Sequence, residues 1–225
     1  MTSQMIRLSV VHKLGGVRSW SLQALETCPG AYGPGGALAP ACAGCYAVGG
    51  NYRWPNVKAP RVSNRADWRR PGWVADMVRA LERDRYFRWF DSGDMYTVAL
   101  AEKIYEVARL TPLVKHWLPT RVHKFPKFEP VLTKLRALPN MALRFSSDSI
   151  HGEFDGRHGS TIVQDGEPLP AGAFPCPATL AGHGGTCGDC KACWDPAVPV
   201  IAYTAHGVRM KRLVKKELDS PAVPC

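Results

Sequence analysis

Seven of the eight cysteines in this chain fall into two groups. Cys28, Cys42 and Cys45 are spaced C-x13-C-x2-C; Cys176, Cys187, Cys190 and Cys193 are spaced C-x10-C-x2-C-x2-C. Thiolates are the usual protein ligands of zinc and of iron–sulfur clusters, so three plus four of them predict two metal centres. Structural zinc sites tend to draw their thiolates from two separated C-x2-C knuckles. Here three of the four rear cysteines lie in one run, CGDCKAC, which suits a loop wrapped around an iron–sulfur cube. Gly182, Gly184, Gly185 and Gly188 would let that loop bend without steric cost. The front group supplies only three thiols, which predicts a cube with one iron left open. A zinc site with an open position, or one completed by His12, His206 or Cys225, is the alternative. At the rear, His183 could stand in for Cys176.

Disulfides and inert core thiols are the plainer readings of the same residues. The first residues, MTSQMIRLSVVHKLGG, hold no continuous apolar run of the kind a secretion signal carries, and no stretch has the length of an apolar membrane span. The expected setting is therefore cytoplasmic, where thiols stay reduced and clustered cysteines are better read as ligands. Lys and Arg exceed Asp and Glu by 29 − 19, a net charge of +10. Arg61, Arg65, Arg69, Arg70, Arg79, Arg83, Arg85 and Arg88 supply one concentration and residues 209–216 another. Such a balance draws nucleic acid or other anions, although a solvated helix face with interleaved Asp67, Asp76, Glu82 and Asp84 accounts equally for the first group.

The elements that must position these groups alternate between strand and helix. Strands are expected at 19–25, 86–90, 113–118, 141–145, 161–163 and 200–204. Helices are expected at 72–84, 98–110, 127–138 and 208–218, where apolar residues recur at helical spacing. The pattern predicts an α/β fold of about six βα units, either a partial (β/α) barrel or an open parallel sheet, with a C-terminal cysteine-rich loop. One domain is expected over 1–225. It comprises a front cysteine loop (19–60), a βα core (72–150), a glycine-rich loop with the rear cysteines (151–199), and a last strand, helix and tail (200–225).

Polar clusters follow four of the strands: Asp91 to Asp94, Pro119 to Arg121, Ser146 to Asp148, and Thr204 to His206. Ligands of parallel α/β folds bind at the carboxyl ends of strands, so these clusters should meet around one mouth together with Cys28. Any single cluster reads better as helix capping, and it is the four together with the cysteine loop that point to a site. Ser92, Asp94, Arg121 and Ser146 are the predicted contacts to a bound cofactor, with Arg144 beside them. The seven tryptophans read as packing anchors, and His116, in an apolar run, as a packed and hydrogen-bonded histidine.

The segments CAGCYA, FRWFDSGDMY, HWLPTR, LRFSSDSI and CGDCKAC resemble a family of bacteriophage proteins known as gene product eighty-eight. The order of parts is also similar to the radical SAM superfamily. That likeness implies a radical-SAM-like partial barrel, with Cys28, Cys42 and Cys45 on the open cluster and Cys176, Cys187, Cys190 and Cys193 on an auxiliary one. It also implies S-adenosylmethionine as the small molecule at the open iron. In this chain Asp91-Ser92-Gly93-Asp94 stands where that superfamily carries a Gly-Gly-Glu type motif. The leading expectation is thus a phage-encoded iron–sulfur protein with two [4Fe-4S] clusters, an enzyme or a redox protein served by an electron donor. The alternative is a zinc-stabilised basic protein that binds nucleic acid without catalysis.

Overall fold

The computed structural model describes residues 5–180 and 182–218. Its strands are β1 (Ser9–Val11), β2 (Val17–Trp20), β3 (Tyr86–Trp89), β4 (Lys115–Thr120), β5 (Met141–Ser146), β6 (His158–Val163), β7 (Ala173–Pro175) and β8 (Val200–Thr204). Its helices are α1 (Pro40–Ala43), α2 (Pro55–Asp67), α3 (Trp73–Leu81), α4 (Val98–Leu110), α5 (Glu129–Arg136) and α6 (Val208–Leu218). The strands form one sheet in the order β1-β2-β3-β4-β5-β6-β8-β7. Only β1 and β2 run antiparallel; the other neighbours are parallel. The expected α/β fold with a mostly parallel sheet is therefore present, and the sheet is not closed into a barrel. Closure needs the outermost strands to pair. Here the sheet ends on two three-residue strands, β1 and β7, that are not neighbours.

Alternation along the strands decides what each face holds. Phe87 and Trp89 of β3 and Leu118 of β4 are wholly buried in the main core beside Trp73, Met77 and Leu81 of α3 and Leu100 and Ile104 of α4. Burying a side chain the size of Phe87 stabilises the fold by about 2–3 kcal/mol. Trp20 meets Trp73 and Trp89 edge to face, with centroids 5.3 and 6.2 Å apart, so these tryptophans are packing anchors as expected. Arg88 and Trp117 are cross-strand neighbours turned to the opposite face, and the guanidinium lies 4.5 Å from the indole centroid. There Trp117 packs with Leu14, Cys176, Cys193, Trp194 and Ile201.

His116 has a defined role in the core. Trp89 Nε1 donates to its Nδ1 at 3.2 Å, while Thr111 Oγ1 donates to Val107 O and lies 2.9 Å from Nε2. The proton therefore sits on Nε2, and burial holds the imidazole neutral by lowering its pKa to about 3.

Helix α2 was not expected. Pro55 occupies its first turn and Pro60 lies inside it, and the buried side chains are Arg61 and Asn64 rather than an apolar stripe. A helix whose inward face is polar leaves no hydrophobic period to read. Asn64 donates to the carbonyls of Ser21 and Arg7, which ties α2 to the end of β2.

Candidate functional site

A cavity of about 600 Å³ opens at the carboxyl ends of the parallel strands. Its wall takes Leu25 and Cys28 after β2, Asp91 to Asp94 after β3, Pro119 to Arg121 at the end of β4, Ser146 and Ser147 at the end of β5, and Thr204 to His206 after β8. The four polar clusters and Cys28 thus meet around one space, as the strand ends predicted. The backbone bends sharply where the chain leaves the sheet: Leu25 and Phe90 hold positive φ values of 66° and 55°, and Gly93 one of 79°. A Cβ on Gly93 would lie 2.6 Å from Leu22 Cβ, so only glycine fits that turn. Such conformations in ordinary residues cost free energy, and they collect at ligand sites.

The predicted contact residues serve different ends. Ser92 donates to Leu22 O at 2.7 Å and accepts from Arg61 Nε at 2.7 Å, so its hydroxyl joins α2 to β2. Asp94 accepts from Thr120 Oγ1, Met95 N and Arg121 N at 2.7, 2.7 and 2.9 Å. Burial nevertheless pushes its carboxyl up to about 6, against the pull of those three hydrogen bonds. Arg121 donates to Asp148 Oδ1 at 3.1 Å and to Ser147 O at 2.8 Å. Ser146 accepts from Ser160 Oγ at 3.3 Å. Arg144 is not a ligand contact: its buried guanidinium donates to the carbonyls of Gly159, Ala192, Cys193, Asp195 and Val198 at 2.7–3.3 Å.

The cysteines require a correction. Among the described residues, no three His, Cys, Asp or Glu side chains come together as a metal site. All seven thiols of Cys28, Cys42, Cys45, Cys176, Cys187, Cys190 and Cys193 are free. Six of them, Cys190 excepted, line the cavity, but they enter it from apolar packing. Cys28 and Cys42 pack with Leu25, Ala31, Leu38 and Ala39, whereas Cys176, Cys187 and Cys193 pack with Leu14, Trp117 and Trp194. Burial pushes the Cys28 thiol up to about 12 and that of Cys193 to about 11, and raises Cys42, Cys176 and Cys187 as well. Protonated thiols in such surroundings behave as small hydrophobic groups, whereas iron and zinc require thiolates gathered around a point.

The two [4Fe-4S] clusters, the zinc alternative and the radical SAM chemistry resting on the open iron are therefore not supported by this arrangement. S-Adenosylmethionine goes with them, since that iron was to hold it. His12, His183 and His206 are exposed and complete no site, and Cys225 lies outside the described residues. Spacing along the chain suggested gathered thiolates; the apolar surroundings of each thiol are what spacing omits.

One residue of the cavity was read only as part of a basic stretch. Arg88 lines it from the middle of β3, near Tyr46, Tyr52, Tyr203 and Asp91, and these neighbours hold its pKa high. Asp91 is already paired with Arg61 at 2.6 Å, and no carboxylate among the described residues forms an ion pair with Arg88. Its Nε is buried without a hydrogen-bond acceptor. The signal in the sequence was an arginine set between Phe87 and Trp89, which strand alternation turns away from the aromatic core.

A family model described as Gene product 88 matches residues 7–196. No curated protein and no solved structure matches the chain. No described helix is long and apolar enough to cross a membrane.

Proposed function

Because the chain belongs to the Gene product 88 family, whose description carries no activity, we propose its function from the cavity: it binds a small molecule that joins an anionic group to an apolar body. The observation that carries this reading is Arg88, a guanidinium lining the cavity with no carboxylate among the described residues paired to it. Arg88 is half-buried with its Nε out of water and without an acceptor, and a bound carboxylate or phosphate would supply one. The phenols of Tyr46, Tyr52 and Tyr203 stand near the guanidinium and are held neutral by burial. Leu14, Leu25, Phe90, Trp117, Ile162 and Met210 supply apolar wall for the rest of the ligand. The volume is in the range of pockets that hold small organic ligands.

Thermal unfolding with matched probes tests this. Phenyl phosphate and 4-phenylbutyrate are compared with the neutral 4-phenylbutyramide, on the wild type and on Arg88→Met. Binding at ten times Kd stabilises by about 1.4 kcal/mol, or about 4 °C for a chain of this size. The anions should raise the Tm of the wild type, with little effect from the amide and none on the variant. Equal shifts with anion and amide, or anion shifts retained in Arg88→Met, would reject the reading.

A further inference from the structure

Helix α6 has two faces, and only one is occupied. Met210, Leu213 and Val214 pack against Ala41, Ile150, Ala205 and Ile162. Arg209, Lys211, Arg212 and Lys215 are exposed, and none of them forms an ion pair among the described residues. The helix has five cations and a single acid, Glu217. Its first turn lies against the segment after Cys45: Arg209 Cδ is 3.5 Å from where a Cβ on Gly49 would stand. That segment leads into Arg53, Trp54 and Lys58, and Trp54 is 58% exposed, the one tryptophan outside the packed interior.

We infer that this face is a docking surface for single-stranded nucleic acid, with the α6 cations on successive phosphates and Trp54 stacked on a base. The charge is of the sign and density that a phosphodiester backbone selects, and the exposed indole on the segment that follows Gly49 gives any base a flat partner. A membrane is a poorer fit, because an interfacial helix inserts its apolar side, and here that side is already buried in the protein. The surface lies outside the cavity, so this inference does not rest on the small-molecule reading.

Fluorescence anisotropy of labelled oligo-dT and oligo-rU, titrated with the full chain over a range of KCl, is the test. The logarithm of the binding constant should fall linearly with the logarithm of salt concentration. In Arg209→Gln/Lys211→Gln/Arg212→Gln/Lys215→Gln the slope should shrink by about 3, the loss of four phosphate contacts on a single strand. Trp54→Ala should weaken binding about tenfold with the slope kept. All five substituted positions are exposed, and an unaltered Tm confirms that the variants fold. Absence of binding by the wild type at low salt, an unchanged slope in the Gln variant, or tighter binding to phosphatidylserine vesicles than to the oligonucleotides would overturn the proposal. Full affinity in Trp54→Ala would overturn its single-strand part.

Discussion

The front and rear cysteine segments line the same cavity and are held in place by opposite means. At the front, an ion-paired cluster on a partly wet rim reaches the backbone of the cysteine segment through one lysine. Asp148 takes Arg121 and Lys124, and Lys124 reaches Gly30 O at 2.8 Å. Asp148 is 37% exposed and Lys124 26%, so solvent shares that grip. At the rear a single guanidinium, Arg144, is 3% exposed and gathers five backbone carbonyls. Trp194 Nε1 adds a bond to Phe87 O at 2.9 Å, and Cys187 N one to Lys13 O at 2.9 Å. Exposed ion pairs are individually weak and can be traded for water; a buried guanidinium that satisfies five carbonyls at once has no such replacement. The rear wall is accordingly the rigid one and the front wall the adjustable one.

The largest test of this difference is Arg144→Met. Five carbonyls would lose their donor together, at a cost of about 4 kcal/mol and about 12 °C in Tm. Cys176, Cys187 and Cys193 should become reactive towards a thiol reagent well before Cys28 and Cys42. Equal exposure of both groups would show that the rear has no anchor of its own.

Proton linkage sharpens the comparison next, because Asp94 belongs to the front. Its pKa rises from the ordinary 3.8 to about 6 on folding, so the folded protein holds this proton more tightly than the unfolded chain. The stability that proton provides is complete below pH 4 and is lost as pH rises through about 6. The loss approaches 3 kcal/mol by pH 7. Relative to the wild type, Asp94→Asn should gain that amount between pH 4 and pH 7 in denaturant unfolding. A difference that does not vary with pH would remove Asp94 as the linked group.

The smallest effect is expected for Lys124→Met. Removing one partner of a rim ion pair should change stability by less than about 1 kcal/mol. The same variant should speed labelling of Cys42 and leave Cys193 unchanged. A loss as large as that of Arg144→Met would erase the distinction between the two walls.

Much of the frame was legible in the sequence. Helices α4 and α6 lie where apolar periodicity placed them, and β8 where its apolar run did. The polar clusters after β3, β4, β5 and β8 converge because parallel strands all deliver their carboxyl ends to one side. Arg144 was misread for a physical reason: its place near the end of β5 suggested the cavity. Pairing places Arg144 opposite Pro119, and its side chain crosses towards the carbonyls of the 192–198 segment instead. Short β1 and β7, three residues each, fall below the length at which alternation can be recognised. The cysteines misled because sequence gives their separation but not the polarity of their surroundings.

The position of β8 has a consequence for how the molecule is made. Among the described residues it is the last strand in chain order, yet it lies inside the sheet, between β6 and β7. Until residues 200–204 leave the ribosome, β6 presents an unpaired parallel edge and β7 has no strand to join. Open edges of this kind invite pairing with other chains. The cavity also lacks Thr204 to His206 and Met210 until then. The site therefore waits on residues 200–210: their arrival inserts a central strand, joins β7 to the sheet and completes the wall of the cavity.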